Sequence, residues 1–171
     1  MRSQISNLSL EKLAKEIIFR AHQTNTIIAL AESCTGGMIG AALTDIAGSS
    51  SIFDRGFITY SNEAKNEVLN VTQACLDSHG AVSKNTALAM VAGVFAAAPR
   101  ATLALSVTGI AGPGGGSSEK PVGLVHFACQ ARHKLPLHVS HIFSGDRHNI
   151  RKESLKTALK MILAELNTKT T

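Results

Sequence analysis

The chain has 171 residues, of which 44% are hydrophobic and 17% charged, and this composition is typical of a globular rather than a disordered protein. A chain of this length can bury a core without cross-links, so we predict a single domain over residues 1–171 with its core at about 8–167. The formal net charge of +5 suits an anionic partner, but six Phe, one Tyr and no Trp argue against a surface that stacks bases.

The cysteines predict a protein without disulfides, and the N-terminus predicts a protein that is not secreted. Cys34, Cys75 and Cys129 are odd in number and widely spaced, so neither a zinc site nor a disulfide framework is predicted. The N-terminus has no apolar signal region, and no segment approaches the roughly 18 apolar residues of a membrane span. The histidines form no HExxH-type pair. We therefore expect a cytoplasmic protein with no metal, no other cofactor, and no nucleic-acid or membrane partner.

Helices and strands alternate in the first part of the chain. The predicted elements are, in order, a helix over residues 9–24, a strand over 26–31, a helix over about 35–46 and a strand over 53–60. The helices are predicted from apolar residues at helical spacing or from their flanking glycines, and the strands from short apolar runs. Ser9 suits the cap of the first helix, and Gly56 predicts a bulge in the second strand.

The alternation continues to the C-terminus. The predicted elements are a helix from Ser61 to Leu69, a short helix from Thr72 to about 79, a helix over about 84–97, a strand over 101–107, a glycine-rich loop over 108–120, strands over 122–130 and 137–143, and a helix from about 146 to 166. Ser61, Thr72, Ser83 and Asp146 are suited to cap helices. Interleaved elements with a final hairpin predict an α/β layered fold, a mixed sheet flanked by helices.

The segment AESCTGG, residues 31–37, lies between a buried strand and a helix. Ligands of open α/β sheets bind beyond the carboxyl ends of strands, where a helix start presents unpaired N–H groups. Ser33 and Thr35 are thus placed where a phosphate or a developing oxyanion is held, and the two glycines allow a close approach. Alternatively, Ser33 or Thr35 is only a helix cap and the glycines only a turn.

Tyr60 and Lys65 form a second candidate group in YSNEAK. Tyr60 ends a predicted strand, and Lys65 lies about one turn into a helix, where the positive field disfavours its charged form. A lysine with a lowered pKa can act as the general base for a serine, and the Tyr60 hydroxyl can orient or relay a proton. The alternative is a solvated lysine beside a half-buried tyrosine.

The glycine-rich segment SVTGIAGPGGG, residues 106–116, lacks the strand–GxGxxG–helix arrangement of a dinucleotide site. It is either a backbone-lined loop for phosphate or ribose, or a flexible connection. Arg147, next to the capping Asp146, can reach a phosphate as a forked donor, although a surface arginine fits the pattern equally well. We interpret the basic residues that gather in the last helix as a solvated face: Arg147, Arg151, Lys152, Lys156 and Lys160.

Seven ordered motifs span most of the chain, from about residue 31 to 147: AESCTGG, TDIAGSS, ITYSNEAK, HGAVS, SVTGIAGPGGG, EKPVG and SGDR. Together they resemble the C-terminal domain family of the competence-damage-inducible protein A, whose stand-alone members are nicotinamide-nucleotide amidases. The resemblance implies a Ser/Lys/Tyr site without metal. It also implies that nicotinamide mononucleotide and water are converted to nicotinate mononucleotide and ammonia.

Carried over to this sequence, the resemblance implies that Ser33 is the nucleophile and that Tyr60 and Lys65 are its catalytic partners. The substrate-binding residues that it implies are Glu32, Thr35, Gly36, Gly37, Ser49, Ser50, Thr108, Gly109 and Arg147. It further implies a homo-oligomer, a dimer or higher. The alternatives are a nucleotide-binding module without catalysis and a nucleic-acid partner, which the charge of +5 and the family's association with competence suggest.

Overall fold

The computed structural model describes residues 8–168. At its centre lies a five-stranded sheet in the order β2-β1-β3-β4-β5. The strands are β1 (Ile28–Glu32), β2 (Phe53–Ile58), β3 (Leu103–Gly109), β4 (Leu124–Ala131) and β5 (Leu137–Ile142). The first three are parallel, and β4 and β5 add to β3 as an antiparallel hairpin. The predicted α/β fold with a mixed sheet is confirmed.

Six α-helices flank this sheet within residues 8–168. They are α1 (Leu10–Gln23), α2 (Met38–Thr44), α3 (Asn62–Leu69), α4 (Gln73–His79), α5 (Lys84–Ala97) and α6 (Arg147–Asn167). The predicted caps are confirmed, because each of five side chains accepts the N–H of the residue three positions later: Ser9, Ser61, Thr72, Ser83 and Asp146.

Two apolar cores lie on opposite faces of the sheet. Helices α1, α2 and α6 cover one face, and α3, α4 and α5 cover the other. Strand β1 is buried on both sides, since Leu30 packs into the first core while Ala29 and Ala31 pack into the second. This burial explains why the strand is a continuous apolar run without alternation.

Two local predictions differ from the structure. The β1–β2 ladder pairs Ile28 with Phe53 and Ala29 with Arg55, so the extra residue is Asp54, and the predicted bulge at Gly56 is wrong. A Cβ at Gly56 would lie 3.5 Å from the Phe53 ring, an ordinary contact distance, so packing does not require the glycine. The helix predicted from about residue 35 begins at Met38, because the two preceding glycines have φ of +59° and +96°, outside the right-handed helical region.

Candidate active site

Ser33 is the first residue after β1 at the carboxyl edge of the sheet. Glu32 pairs with Ile58 of β2 and with Val107 of β3, so the parallel strands run side by side here. The Ser33 N–H donates to the Val107 carbonyl at 3.0 Å, and the Thr59 N–H donates to the Glu32 carbonyl at 2.9 Å. The neighbouring strands therefore hold the Ser33 backbone from both sides.

Lys65 reaches Ser33 from the first turn of α3. Its side chain is buried, and its Nζ lies 3.1 Å from Ser33 Oγ. The same nitrogen donates to the carbonyls of Thr59 at 2.9 Å, Tyr60 at 3.2 Å and Ser61 at 3.4 Å. Because α3 begins directly after the β2 strand, the lysine folds back over this connection. The structure thus brings together two of the predicted catalytic residues.

The burial of Lys65 changes its acidity. Loss of hydration around the ammonium lowers the pKa of Lys65 from 10.5 to about 8. The expected direction is found, but the cause is burial rather than the field of the helix. The neighbouring Cys34 thiol responds in the opposite direction, since burial raises its pKa to about 12. At neutral pH the cysteine is therefore a neutral thiol, whereas part of the lysine population is uncharged and able to accept a proton.

The Glu32 carboxylate organises the start of α2. It is buried and accepts the N–H groups of Gly37 at 3.0 Å, Ile39 at 3.1 Å and Gly40 at 2.8 Å. These bonds satisfy helix-start amides that would otherwise lack partners. Glu32, which the resemblance assigns to the substrate pocket, is thus occupied with its own backbone in this structure.

Arg151 contacts the turn that follows Ser33. Its Nε donates to the Cys34 carbonyl at 3.1 Å and its Nη2 to the Thr35 carbonyl at 2.9 Å. The interpretation of Arg151 as part of a solvated face is therefore wrong. Because Arg151 follows Arg147 by four residues, the sequence indicates that both lie on one side of the helix, but it does not indicate the contact with the turn. The Thr35 hydroxyl is buried and has no hydrogen-bond partner within residues 8–168.

Arg147 connects the glycine-rich loop to Tyr60. Its Nη1 donates to the Gly112 carbonyl at 2.8 Å, and its Nη2 donates to the Tyr60 hydroxyl at 3.0 Å. The Tyr60 side chain is 60% exposed. Within residues 8–168 this hydroxyl makes no hydrogen bond to Ser33 or Lys65. The hydrogen bond between Lys65 and Tyr60 uses the Tyr60 backbone carbonyl instead.

Of the other predicted pocket residues, some lie at this edge and some do not. Thr108, beside Val107 at the end of β3, donates its hydroxyl to the Ala81 carbonyl at 2.8 Å. Gly109 permits close packing of β3 on β4, since a Cβ there would lie 2.8 Å from the Leu124 carbonyl oxygen. Gly36 and Gly37 form the turn after Ser33.

Ser49 and Ser50 lie elsewhere. They belong to a short 3₁₀ turn, Ser49–Ser51, that precedes β2 and therefore lies at the amino edge of the parallel strands. The five residues of β1 separate the two edges by about 16 Å. The structure does not bring this pair to the Ser33 site.

Two further searches concern only residues 8–168. No helix in this range is long and apolar enough to cross a membrane. No group of three or more His, Cys, Asp or Glu side chains in this range is arranged to hold a metal ion.

The protein thus belongs to the α/β class, and its mixed sheet has a buried serine–lysine pair at the carboxyl edge. Residues 10–166 match the family model of the CinA C-terminal domain, and the chain belongs to that family. The nicotinamide-nucleotide amidohydrolase PncC of Enterobacter agglomerans is 48% identical over 160 residues, which cover 91% of this chain and 97% of that protein.

Another relative and a solved structure agree with this membership. PncC of Escherichia coli strain K12, also called a nicotinamide-nucleotide amidohydrolase, is 42% identical over 158 residues, 92% of this chain and 95% of that protein. The crystal structure of the competence/damage inducible protein CihA from Agrobacterium tumefaciens matches with a TM-score of 0.89 at 50% identity. That match covers 92% of this chain and 95% of the other.

Proposed function

We propose that this chain is an amidohydrolase that converts nicotinamide mononucleotide and water to nicotinate mononucleotide and ammonia, with Ser33 as the nucleophile. The observation that supports a serine nucleophile is the 3.1 Å distance between Lys65 Nζ and Ser33 Oγ, in a buried setting at the carboxyl edge of the sheet. The two PncC relatives, which align over nearly their whole length, are named for a nicotinamide-nucleotide substrate.

In the first step, neutral Lys65 accepts the hydroxyl proton of Ser33 while Oγ bonds to the carboxamide carbon. The electron pair of the C=O π bond moves to the oxygen, which becomes the oxyanion of a tetrahedral intermediate. The lysine is now an ammonium, and the carbonyls of residues 59–61 that surround its Nζ stabilise this charge. The geometry therefore suits a base that becomes charged when it accepts the Ser33 proton.

In the second step, the Lys65 ammonium returns its proton to the amide nitrogen, the C–N bond breaks and ammonia leaves. Ser33 remains as an ester of the nicotinate group. Water then loses a proton to Lys65 and attacks this ester, and the released Ser33 oxygen regains the proton. Water is the one co-reactant of the cycle, and nothing is oxidised or reduced. Cys34 takes no part as a nucleophile, because its thiol stays protonated at neutral pH.

Substrate binding is assigned to groups around the serine–lysine pair. We assign the substrate phosphate to the Arg147 guanidinium, which donates to the hydroxyl of the exposed Tyr60. The Thr35 hydroxyl, which is buried and lacks a partner within residues 8–168, is proposed as a second substrate-binding group. The net charge of +5 favours the approach of an anionic nucleotide.

The proposal extends to assembly and location. Large apolar side chains are exposed on both outermost strands of the sheet, Ile58 in β2 and Leu137 and Ile142 in β5, which supports a homo-oligomer. Unpaired cysteines, two of them buried, are typical of a reducing compartment and support a cytoplasmic location. Light scattering of the purified protein measures the mass of the assembly, and a monomer would contradict the first part.

The function is tested by incubating the purified protein with nicotinamide mononucleotide and measuring ammonia. Wild type should release ammonia, and Ser33→Ala should lower the rate by at least about 10⁴-fold, since loss of a nucleophile removes the main covalent path. Ser78→Ala, an exposed serine of α4, is the matched control and should retain full activity.

Three outcomes would contradict the proposal in different ways. No ammonia from folded wild type would exclude this reaction. Substantial activity in Ser33→Ala would exclude Ser33 as the nucleophile. Tight binding of the mononucleotide without ammonia release would favour the nucleotide-binding module.

A further inference from the structure

Within residues 8–168, two backbone N–H groups directly after Ser33 lack an acceptor in another residue. The amides around them are used: the Ser33 N–H donates to Val107, and the Gly36 N–H donates to the Ser33 carbonyl at 3.0 Å. Within residues 8–168, the N–H groups of Cys34 and Thr35 donate to no acceptor outside their own residues. They are therefore donors without a partner in another residue, next to the candidate nucleophile.

The carbonyls of the same two peptide groups are both engaged. The Ser33 carbonyl belongs to the peptide that bears the Cys34 N–H, and it accepts from Gly36. The Cys34 carbonyl belongs to the peptide that bears the Thr35 N–H, and it accepts from Arg151 Nε. Because C=O and N–H point in opposite directions in a trans peptide, fixing each carbonyl also fixes the direction of the N–H.

Arg151 brings a full positive charge to this turn. None of the three ion pairs found within residues 8–168 includes Arg151. Two of its nitrogens, Nε and Nη2, bridge the adjacent carbonyls of Cys34 and Thr35. Hydrogen bonds from an ionised donor are roughly twice as strong as neutral ones. A cation on the carbonyl side also polarises the peptide group, which makes its N–H a better donor on the other side.

We propose that Arg151 is a positioning residue for the reaction. Through the Cys34 carbonyl it fixes the Thr35 N–H, and through the Thr35 carbonyl it holds the peptide whose Gly36 N–H bonds the Ser33 carbonyl and so fixes the Cys34 N–H. Both N–H groups are thereby directed at the oxyanion that forms beside Ser33. The inference rests on the proposed function, since it assigns the oxyanion site of the same reaction. Arg151 acts through the turn and does not touch the substrate. Its loss therefore lowers kcat more than it changes KM, because the oxyanion exists only along the reaction path.

The kinetic test compares Arg151→Met and Arg151→Lys with the exposed neighbour Lys152→Met, which should behave as wild type. Arg151→Met should lower kcat for ammonia release about 10²-fold with KM within about threefold of wild type, the loss typical of a disturbed oxyanion site. Arg151→Lys should recover part of this loss, since one ammonium can reach one carbonyl but cannot form the planar bridge. Thermal unfolding of each variant shows whether it is folded.

A second measurement does not require turnover. In 3-pyridylboronic acid, a boronic group replaces the carboxamide of the pyridine ring. Ser33 Oγ bonds to the trigonal boron, Lys65 accepts the hydroxyl proton, and the tetrahedral boronate then bears the negative charge. The Ki of this inhibitor, with the adduct identified by boron NMR, should rise in Arg151→Met by the same factor by which kcat falls.

The outcomes separate the inference from the proposed function. A folded Arg151→Met with wild-type kcat, or a lower kcat with an unchanged boronate Ki, would overturn the role of Arg151. Wild type that releases no ammonia from nicotinamide mononucleotide would refute the proposed function. In that case the boronate comparison alone decides the inference: weaker adduct formation in Arg151→Met supports it, and equal formation overturns it.

Discussion

The proposed general base predicts a specific dependence of activity on pH. Lys65 must be neutral to accept the Ser33 proton, and burial lowers its pKa to about 8. Because the active form is the deprotonated one, kcat/KM should rise as the pH increases through this value. The second pKa of the substrate phosphate is about 6, so above pH 7 its ionisation adds little to the pH dependence of kcat/KM.

The size of the effect follows from the titration. With a pKa of about 8, the neutral fraction of Lys65 is about 9% at pH 7, about 50% at pH 8 and about 91% at pH 9. Activity should therefore increase about tenfold between pH 7 and pH 9 and then level off. A lysine with its ordinary pKa would instead give a rise that continues at a constant slope up to about pH 10.

The assay is initial ammonia release at low substrate concentration, measured at half-unit intervals from pH 6.5 to about 10 in buffers of constant ionic strength. Lys65→Arg is the matched variant, because a guanidinium stays protonated throughout this range and cannot serve as the base. It should be inactive at every pH. A flat wild-type profile, or a limb centred near pH 10, would refute the assignment of Lys65 as a buried base.

Three substitutions test the packing around the site. A Cβ at Gly93 of α5 would lie 2.1 Å from the Leu69 carbonyl oxygen of α3. Gly93→Ala should therefore lower the free energy of unfolding by about 3 kcal/mol. Gly114→Ala, at a position with open space around it, should leave this free energy unchanged. Thr35→Val removes a buried hydroxyl without a partner in the described residues and should raise the free energy of unfolding by about 1 kcal/mol. The same substitution should increase KM, and an unchanged KM would exclude Thr35 from the substrate site. Glu32→Gln turns an amide NH₂ towards backbone donors and should lower the free energy of unfolding, measured in urea, by about 2 kcal/mol. Equal stability would contradict the role of the Glu32 carboxylate as a cap of α2.

Much of the architecture was predictable because its signals are local. The caps at Ser61, Ser83 and Asp146 depend on residues three positions apart, and the buried strand β1 is apolar throughout. The position of Ser33 followed from the same local logic, since a strand that meets a turn ends at the carboxyl edge of a parallel sheet. Local signals also indicated that Lys65 would have a lowered pKa, although burial rather than the helix field is the cause.

The remaining features depend on contacts between distant parts of the chain. Arg151 lies 117 residues from Cys34, so periodicity within α6 cannot reveal which surface its guanidinium meets. The pair Ser49 and Ser50 belongs to a characteristic motif, yet the direction of β2 puts it at the other edge of the sheet. The resemblance assigned Glu32 to the substrate pocket, and the sequence does not show that its carboxylate accepts three backbone amides.

Because of the strand order, the proposed nucleophile and its proposed base differ in how well they are held in the fold. Ser33 follows β1, which has a hydrogen-bonded neighbour on each side, whereas the connection to Lys65 follows β2, which within the described chain bonds to β1 alone. Peripheral segments open at lower free energy than central ones, without unfolding of the whole domain. Detachment of β2 would remove the base while the serine stays in place. Heat should therefore inactivate the enzyme below its main unfolding transition and reversibly, with early hydrogen exchange in β2.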